Sequence, residues 1–355
     1  MPDNITMKDL AAHFGVSLNT IHKAINGKPG ISEATREKIL NYADECGYKR
    51  NQLAANLKKN VLSIGVCCPG NTLNSRIFYD FIWKGIREYF QKNEDLLNIK
   101  LVEFPYEIGK QDDILAEILH SVQEEKLDGL ILNPPKSERG EQLLSELALI
   151  SFPVVFVTDD NPLRQCIGSV CADYYTAGRM MAEQFLNIRP DGGTVLLLSG
   201  DLKKVSHSSI CQGFSDYNKE NSSKLNIINL YGYHDYGKLK KDFETSVRKH
   251  MPDMIGSVLA TGSSLIREMH SELNIPIDMP IIGNDLFEET ILGMNEGIFT
   301  NLVYKNPVRQ GFLSARMLCD YLTGKELPEN NHIKVEANMI FKSNLFYYTK
   351  KFQNV

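Results

Sequence analysis

Leu18, Asn19 and Lys23 carry three groups that the edges of DNA bases can answer. An asparagine amide pairs bidentately with adenine, a lysine ammonium donates to guanine, and a leucine packs on a thymine methyl. Such groups read sequence when one short helix presents them to a major groove. The residues around them supply that helix. Thr6 with Asp9 fits the S/T-x-x-D/E start of a first helix; Leu10, Ala11 and Phe14 give it an apolar stripe, and Gly15 can take the positive φ that stops it. Ser17 caps a second helix with Ile21, Ala24 and Ile25 on its apolar face, which turns Leu18, Asn19, His22 and Lys23 outward. Two short helices on a tight glycine turn form a helix-turn-helix, although the same pattern alone also describes an ordinary antiparallel helix pair. Ser32 caps a third helix, with Glu33 in its first turn and Ile39, Leu40 and Ala43 inward, and Gly47 ends it.

With these elements in place, the first 66 residues resemble the DNA-binding headpiece of the lactose-repressor-type (LacI family) regulators. The resemblance rests on Thr6, Asp9, Leu10, Ala11, Gly15, Val16, Ser17, Thr20, Asn26, Ser32, Thr35, Arg36, Gly47, Tyr48, Asn51, Ala54 and Leu57, and continues more weakly through almost the whole chain. It implies phosphate contacts from Thr6, Ser17, Thr20, His22, Asn26, Ser32, Thr35, Tyr48 and Asn51. Such contacts fix register and carry no sequence information. Each of these residues also reads as a helix cap or a solvated surface group, Ser17 and Ser32 above all. His22–Lys23 departs from the Ser-Arg common in the family, and lysine lacks arginine's planar fork, so the family's operator rules do not carry over.

Residues 51–60, NQLAANLKKN, place Leu53, Ala54 and Leu57 on one face of a hinge helix too short to be stable alone. Its order is expected to depend on DNA and on a partner copy. The resemblance puts the hinge residues Ala54 and Leu57 at the minor groove of the operator centre, where two copies of Leu57 kink the duplex. The other reading of Leu57 is a core residue packed on the body. Arg50 stands where the family often has Pro, and Ala55 where it often has Arg or Gln.

A chain of 355 residues is too long for one core and implies two or three domains. Its 43% hydrophobic and 23% charged residues are those of a soluble globular protein. Residues 1–60 hold nine Lys/Arg against six Asp/Glu, a balance of +3, which leaves −8 for the rest of a chain of net charge −5. A basic head on an acidic body directs polyanion binding to the head. The polar start MPDNITMKDL is no signal peptide and no apolar run is long enough to span a bilayer, so a cytoplasmic, nucleoid-associated protein is expected, without a membrane partner. The seven cysteines, odd in number and without C-x-x-C, read as reduced, mostly buried thiols, with a metal or redox role for Cys67–Cys68 as the alternative.

From Leu62 strands and helices alternate. VLSIGVCC, IKLVEF, LDGLILNPP, PVVFVTDD, TVLLLSG, LNIINLYG, IGSVLAT, PIIGND and VEANMIF read as strands. Helices are expected at 79–91, 111–125, 143–150, 209–220, 237–249, 264–273 and 307–322, and IGSVCADYYTAGRMMAEQFL reads as a strand running into a helix. This alternation predicts parallel, doubly wound α/β sheets covered by helices. The pattern resembles the type I periplasmic-binding-protein fold, the core of LacI-type regulators, which implies two such subdomains behind a small all-α headpiece. Three chain crossings are expected near 160, 290 and 325. The expected domains are thus a headpiece at 1–50, a hinge at 51–60, one subdomain at 61–160 with 291–325, the other at 161–290 with 326–347, and a tail at 348–355.

An effector is expected in the interdomain cleft, outside the carboxyl ends of the strands. Strand-end position and family match select Asn71, Asn74, Phe78, Thr158, Asp159, His207, Thr261, Gly262 and Asp285. Carboxylates and amides that pair with hydroxyls over an aromatic face make a sugar site, but each of these residues also fits a turn or a cap. Ile210 stands where the family has a ligand-gripping Arg, and Thr261–Gly262 where it has Asn-Asp. A changed sugar, another small metabolite or no effector all remain open.

No P-loop, H-E-x-x-H, G-x-S-x-G or G-x-G-x-x-G after a strand is present, so neither catalysis nor a cofactor or metal is expected. The reading is a homodimeric DNA-binding repressor on a palindromic operator, controlled by a small effector such as a sugar or sugar derivative. The apolar excess of Phe81, Ile82, Trp83 and Phe90 marks a candidate dimer face. The rival readings are a solute-binding protein with an incidental helical head and an enzyme on an α/β scaffold.

Overall fold

Three helices close around small and β-branched residues at the amino end of the chain. They are α1 (Met7–Phe14), α2 (Leu18–Ile25) and α3 (Glu33–Glu45). Leu10, Ile21 and Ile39, each 0% exposed, meet at their centre, and Ala11, Ala24 and Ala43 let the helices cross closely. Gly15 has φ +62° with open space around the position of a β-carbon, so the backbone turn alone requires glycine there. The computed structural model describes residues 7–25, 29–46, 61–70, 76–94, 98–107, 109–159, 166–232 and 235–353.

A first group of elements runs β1 (Leu62–Pro69), α4 (Arg76–Lys92), β2 (Ile99–Tyr106), α5 (Gln111–Gln123), β3 (Gly129–Leu132), α6 (Glu138–Leu149), β4 (Val154–Val157) and β5 (Gly168–Ala172). A second runs α7 (Tyr174–Ile188), β6 (Gly193–Gly200), α8 (Val205–Glu220), β7 (Leu225–Tyr231), α9 (Tyr236–His250), β8 (Met254–Ser257), α10 (Ala260–Met269), β9 (Ile281–Asn284), α11 (Glu288–Glu296) and β10 (Asn301–Tyr304). The chain ends with α12 (Pro307–Leu322), β11 (His332–Val335), β12 (Asn338–Ile340) and α13 (Leu345–Gln353).

The strands form two six-stranded sheets, ordered β11-β5-β4-β3-β1-β2 and β12-β10-β9-β8-β6-β7. In the first, β1 pairs in parallel with β2 and β3, and β3 with β4. In the second, β6 pairs in parallel with β7 and β8, and β9 with β8 and β10, while β12 closes the edge antiparallel to β10. β3, β4, β8, β9 and β10 are buried along their whole length, as strands covered by helices on both faces must be. Each sheet reverses its winding direction at one strand, β1 in the first and β6 in the second, and this topology directs ligands to the carboxyl ends of the strands.

Within the second unit, α7 and α8 touch backbone to backbone. A β-carbon on Gly178 would stand 1.9 Å from the Ile210 carbonyl oxygen, and one on Gly213 would stand 2.0 Å from that of Tyr175. Asp173 caps α7, its Oδ1 accepting from the Thr176 amide at 3.0 Å.

Several expectations need correction. The crossings between sheets follow Ala172, Tyr304 and Val335, not 160, 290 and 325. The reason is sheet pairing. β5 still belongs to the first sheet and β10 still to the second, and VEANMIF is two strands, one in each sheet. β10, α11 and α13 escape the sequence reading; β10 is only NLVY, four buried residues with no alternation to announce them. The helix expected at 264–273 starts at Ala260, so Thr261 and Gly262 lie in its first turn and not on a strand end. Ile82 and Trp83, 0% and 3% exposed, are core residues of their own chain, whereas Phe81 and Phe90 are half-buried, so two of the four residues expected at a dimer face are taken up by the core.

Candidate nucleic-acid interface and effector site

Ser17 Oγ accepts from the Thr20 amide at 3.1 Å and so caps α2; Ser32 Oγ caps α3 through the Thr35 amide at 3.2 Å. The same hydroxyls pair with those of Thr20, at 2.9 Å, and Thr35, at 2.7 Å. Four of the expected phosphate-contacting residues are therefore two capping pairs, each leaving polar atoms at a helix amino end where an anion is favoured. Beyond the cap, α2 turns Leu18, 47% exposed, and Asn19 to solvent. His22 and Lys23 are half-buried, and the Lys23 ammonium folds over Gly30, where an added β-carbon would lie 3.0 Å from it. Arg36 on α3 is a residue whose structural role spacing does not reveal: its guanidinium donates to the Lys23 and Ala24 carbonyls at the end of α2. Thr6, Asn26, Tyr48, Asn51, Ala54 and Leu57 lie outside the described residues.

At the strand ends of the first sheet, Tyr106 Oη donates to Asn133 Oδ1 at 2.8 Å, and Asn133 Nδ2 donates to Thr158 Oγ1 at 2.6 Å. Gln111 Nε2 reaches the Asn133 carbonyl at 2.6 Å. Thr158 holds φ +68°, a strained backbone for a β-branched residue, and is buried with Asp159. Tyr106 and Asn133 are additions to the expected set; the Asn directly after an apolar strand was the available signal. Cys67 and Cys68, side by side on β1, are fully buried. Burial pushes the Cys67 thiol well up and the Cys68 thiol to about 12, which keeps both protonated and unreactive near neutral pH.

In the second unit, His207 Nδ1 accepts from the Asp201 amide at 3.0 Å. The ring is therefore the tautomer with its proton on Nε2, and it fastens the loop before α8. Gly262 is a packing glycine, since a β-carbon there would stand 2.3 Å from Ser257 Oγ. Ile210 is wholly buried. Asp285, 2% exposed, accepts from the Lys305 amide on Oδ1 at 3.0 Å, and its Oδ2 lies 3.0 Å from the Lys305 ammonium as an ion pair without the geometry of a hydrogen bond. The same ammonium lies 5.2 Å from the centre of the Phe78 ring. The structure thus joins two expected residues, Phe78 and Asp285, through a lysine that a four-residue strand concealed. Asn71 and Asn74 lie outside the described residues.

Residues 65–326 match the family model described as periplasmic binding protein domain, and residues 6–51 match that of the bacterial regulatory proteins of the lacI family. The chain belongs to the LacI family of regulators. Catabolite control protein A of Priestia megaterium is 24% identical over 356 residues, spanning 96% of this chain and 98% of the relative. Its counterpart from Staphylococcus xylosus is 24% identical over 339 residues, spanning 93% and 96%. Among solved structures, a glucose-galactose binding protein from Geobacillus stearothermophilus superposes with TM-score 0.69 at 18% identity, covering 81% of this chain and 99% of that one. A putative LacI transcriptional regulator from Bacteroides fragilis gives 0.66 at 19% identity, covering 81% and 100%. These likenesses show the fold. A LacI-type chain is a DNA-binding regulator with a ligand-binding body, and its family is one of transcription regulators. Among the described residues no helix is long and apolar enough to cross a membrane.

Proposed function

We propose that this LacI-type regulator is a homodimeric repressor. Two headpieces would bind the half-sites of a palindromic operator, and a small polyol, a sugar or sugar derivative, would set the affinity. The observation that carries the reading is α2 itself. It is a capped helix, held at its other end by Arg36, with Leu18 and Asn19 exposed on a LacI-matched head. A two-fold dimer would read a two-fold site. Leu18, Asn19 and Lys23 are the proposed base readers, and Ala54 and Leu57 the proposed minor-groove residues.

The ligand class is supported by the Asp285 carboxylate and the Asn133–Thr158 pair at strand ends, groups that accept from and donate to hydroxyls. Solute-binding proteins of the same fold with bound D-allose and bound myo-inositol support it further. Ligand would change operator affinity by favouring one of two arrangements of the body, a coupling between distinct sites. The test is a mobility-shift titration of the dimer against DNA upstream of its own reading frame, at two salt concentrations. Specific, salt-sensitive binding that is lost on deleting residues 1–60 is expected. Equal affinity for that DNA and a scrambled duplex at both salts would overturn the reading.

A further inference from the structure

His22 stands where the family resemblance puts serine. Its Nε2 lies 3.4 Å from Glu125 Oε1, an ion pair, when the ring carries its second proton, between two partly exposed side chains. The three headpiece helices and the first sheet fall in one compact unit, and this pair joins head to body within it. His22 shares one side of α2 with Leu18, Asn19 and Lys23, the side proposed to meet DNA. A carboxylate seated against that side stands where phosphates of a duplex would come. Glu125 is placed there against local preference. It follows the carboxyl end of α5, where the helix dipole favours cations. It holds φ +60°, in a position where helices commonly end on glycine. Its amide donates to the Val122 carbonyl at 3.0 Å, which fixes the turn. The turn adjoins the point where the chain enters the body: the Asp128 amide donates to the Ser63 carbonyl and the Ser63 amide to Asp128 Oδ2, both at 2.8 Å, at the start of β1. The neighbouring Glu124 is answered within the body, by the Lys126 ammonium at 2.6 Å and the His120 ring at 3.6 Å.

We propose that the Glu125 turn is an internal competitor for the DNA-binding face: it holds the head through His22 when no duplex is bound, and duplex and Glu125 exclude each other. An exposed ion pair is weak between separate molecules. Here the tether between head and body makes docking intramolecular, which raises the effective concentration of each partner. A basic head and an acidic body add a general attraction. One carboxylate cannot match the row of phosphates on a duplex, so DNA wins, at an affinity lowered by the cost of undocking. The family's serine could not form this pair, so the device belongs to this chain and not to its fold. The inference rests on the DNA reading of the head and is independent of any effector.

The experiment measures DNA affinity of the full chain carrying Glu125→Gly, a residue suited to the φ of that turn, and Glu125→Gln. Both variants should bind upstream and scrambled duplexes about two- to fivefold more tightly than wild type at low salt, and the ratio should fall toward one as salt screens the pair. Glu124→Gln removes the same charge from the same turn and should change nothing, which separates undocking from a general loss of negative charge. In a His22→Ser background Glu125→Gly should give no further gain. Carbethoxylation of His22 by diethyl pyrocarbonate, followed by mass spectrometry on the DNA-free full chain, reads docking directly and should be faster in Glu125→Gly, while the variant melts no lower than wild type. DNA affinity unchanged in Glu125→Gly overturns the proposal, as does an equal gain in Glu124→Gln, a gain that persists beside His22→Ser, or His22 modified at the wild-type rate. A wild-type chain that binds no duplex at any salt overturns the DNA reading as well; one that binds while Glu125→Gly binds no tighter overturns this inference alone.

Discussion

Arg36 Nη1 donates to the carbonyl oxygen of Lys23 at 3.2 Å and ties α3 to the last turn of the helix that carries the base-facing side chains. The last carbonyls of a helix have no partner within it, and a cation there also answers the helix dipole. Arg36→Ala should therefore loosen α2, at a cost of about 1.5–3 kcal/mol for hydrogen bonds from a charged donor. Operator affinity should fall on matched and scrambled DNA alike. Amide exchange of residues 18–25 in the full chain measures the first effect; exchange unchanged from wild type would refute it.

Lys23 and Thr20 should separate specificity from affinity. A base-reading ammonium contributes about 1–3 kcal/mol of discrimination at one position, so Lys23→Ala should relax preference at one base pair. Thr20 contributes its hydroxyl to the Ser17 cap pair, 2.9 Å away, so Thr20→Ala should weaken all sequences by a similar factor. Binding to a library of single-base operator variants measures both. A uniform loss for Lys23→Ala would show that its ammonium answers phosphate and not base.

Much of this architecture is legible in the order of residues alone. The two serine caps, Gly15 and the apolar positions of α1–α3 follow from local rules, because a short helix has few ways to satisfy its first amides. The two-sheet body follows from strand-helix alternation. Sheet membership does not, since β5 and β10 look alike in sequence whichever sheet they join. The effector residues are legible only in part for the same reason. Phe78 and Asp285 are visible by type and position, but Lys305 acquires its meaning from the carboxylate that β9 brings beside β10. His207 and Gly262 carry the right residue types, and the structure gives each a job in holding its own loop or helix.

The α7–α8 contact predicts a steep cost for the smallest possible side chain. A methyl on Gly178 would meet the Ile210 carbonyl oxygen at 1.9 Å, and backbone cannot turn aside as a flexible side chain would. Overpacking costs about 1–3 kcal/mol and occasionally more, and Gly178→Ala belongs at the upper end. Gly15→Ala has open space around it and should cost only the strain of positive φ, about 1 kcal/mol. Melting of the two variants checks the order; a Gly178→Ala body as stable as wild type would mean that α7 and α8 slide apart freely.

His270 predicts the pH dependence of the second unit. It is 7% exposed, and among the described residues its Nε2 has no hydrogen-bond partner. Burial holds its pKa below the ordinary imidazole value, because the charged ring would sit where water cannot reach it. In the unfolded chain the same ring takes up a proton near about pH 6.5. Below that value the unfolded state binds more protons than the folded one, so stability rises with pH across the interval. The contribution is complete above the unfolded pKa and is lost as pH falls from there through the lower folded pKa. His270→Leu removes the titrating group while filling most of its volume, and should flatten the dependence between about pH 6.5 and the range where carboxylates begin to protonate. Urea midpoints of wild type and variant at neutral and mildly acidic pH decide the matter. If both lose the same stability on acidification, the slope belongs to other groups, and His270 is a packing residue whose charge state the fold does not feel.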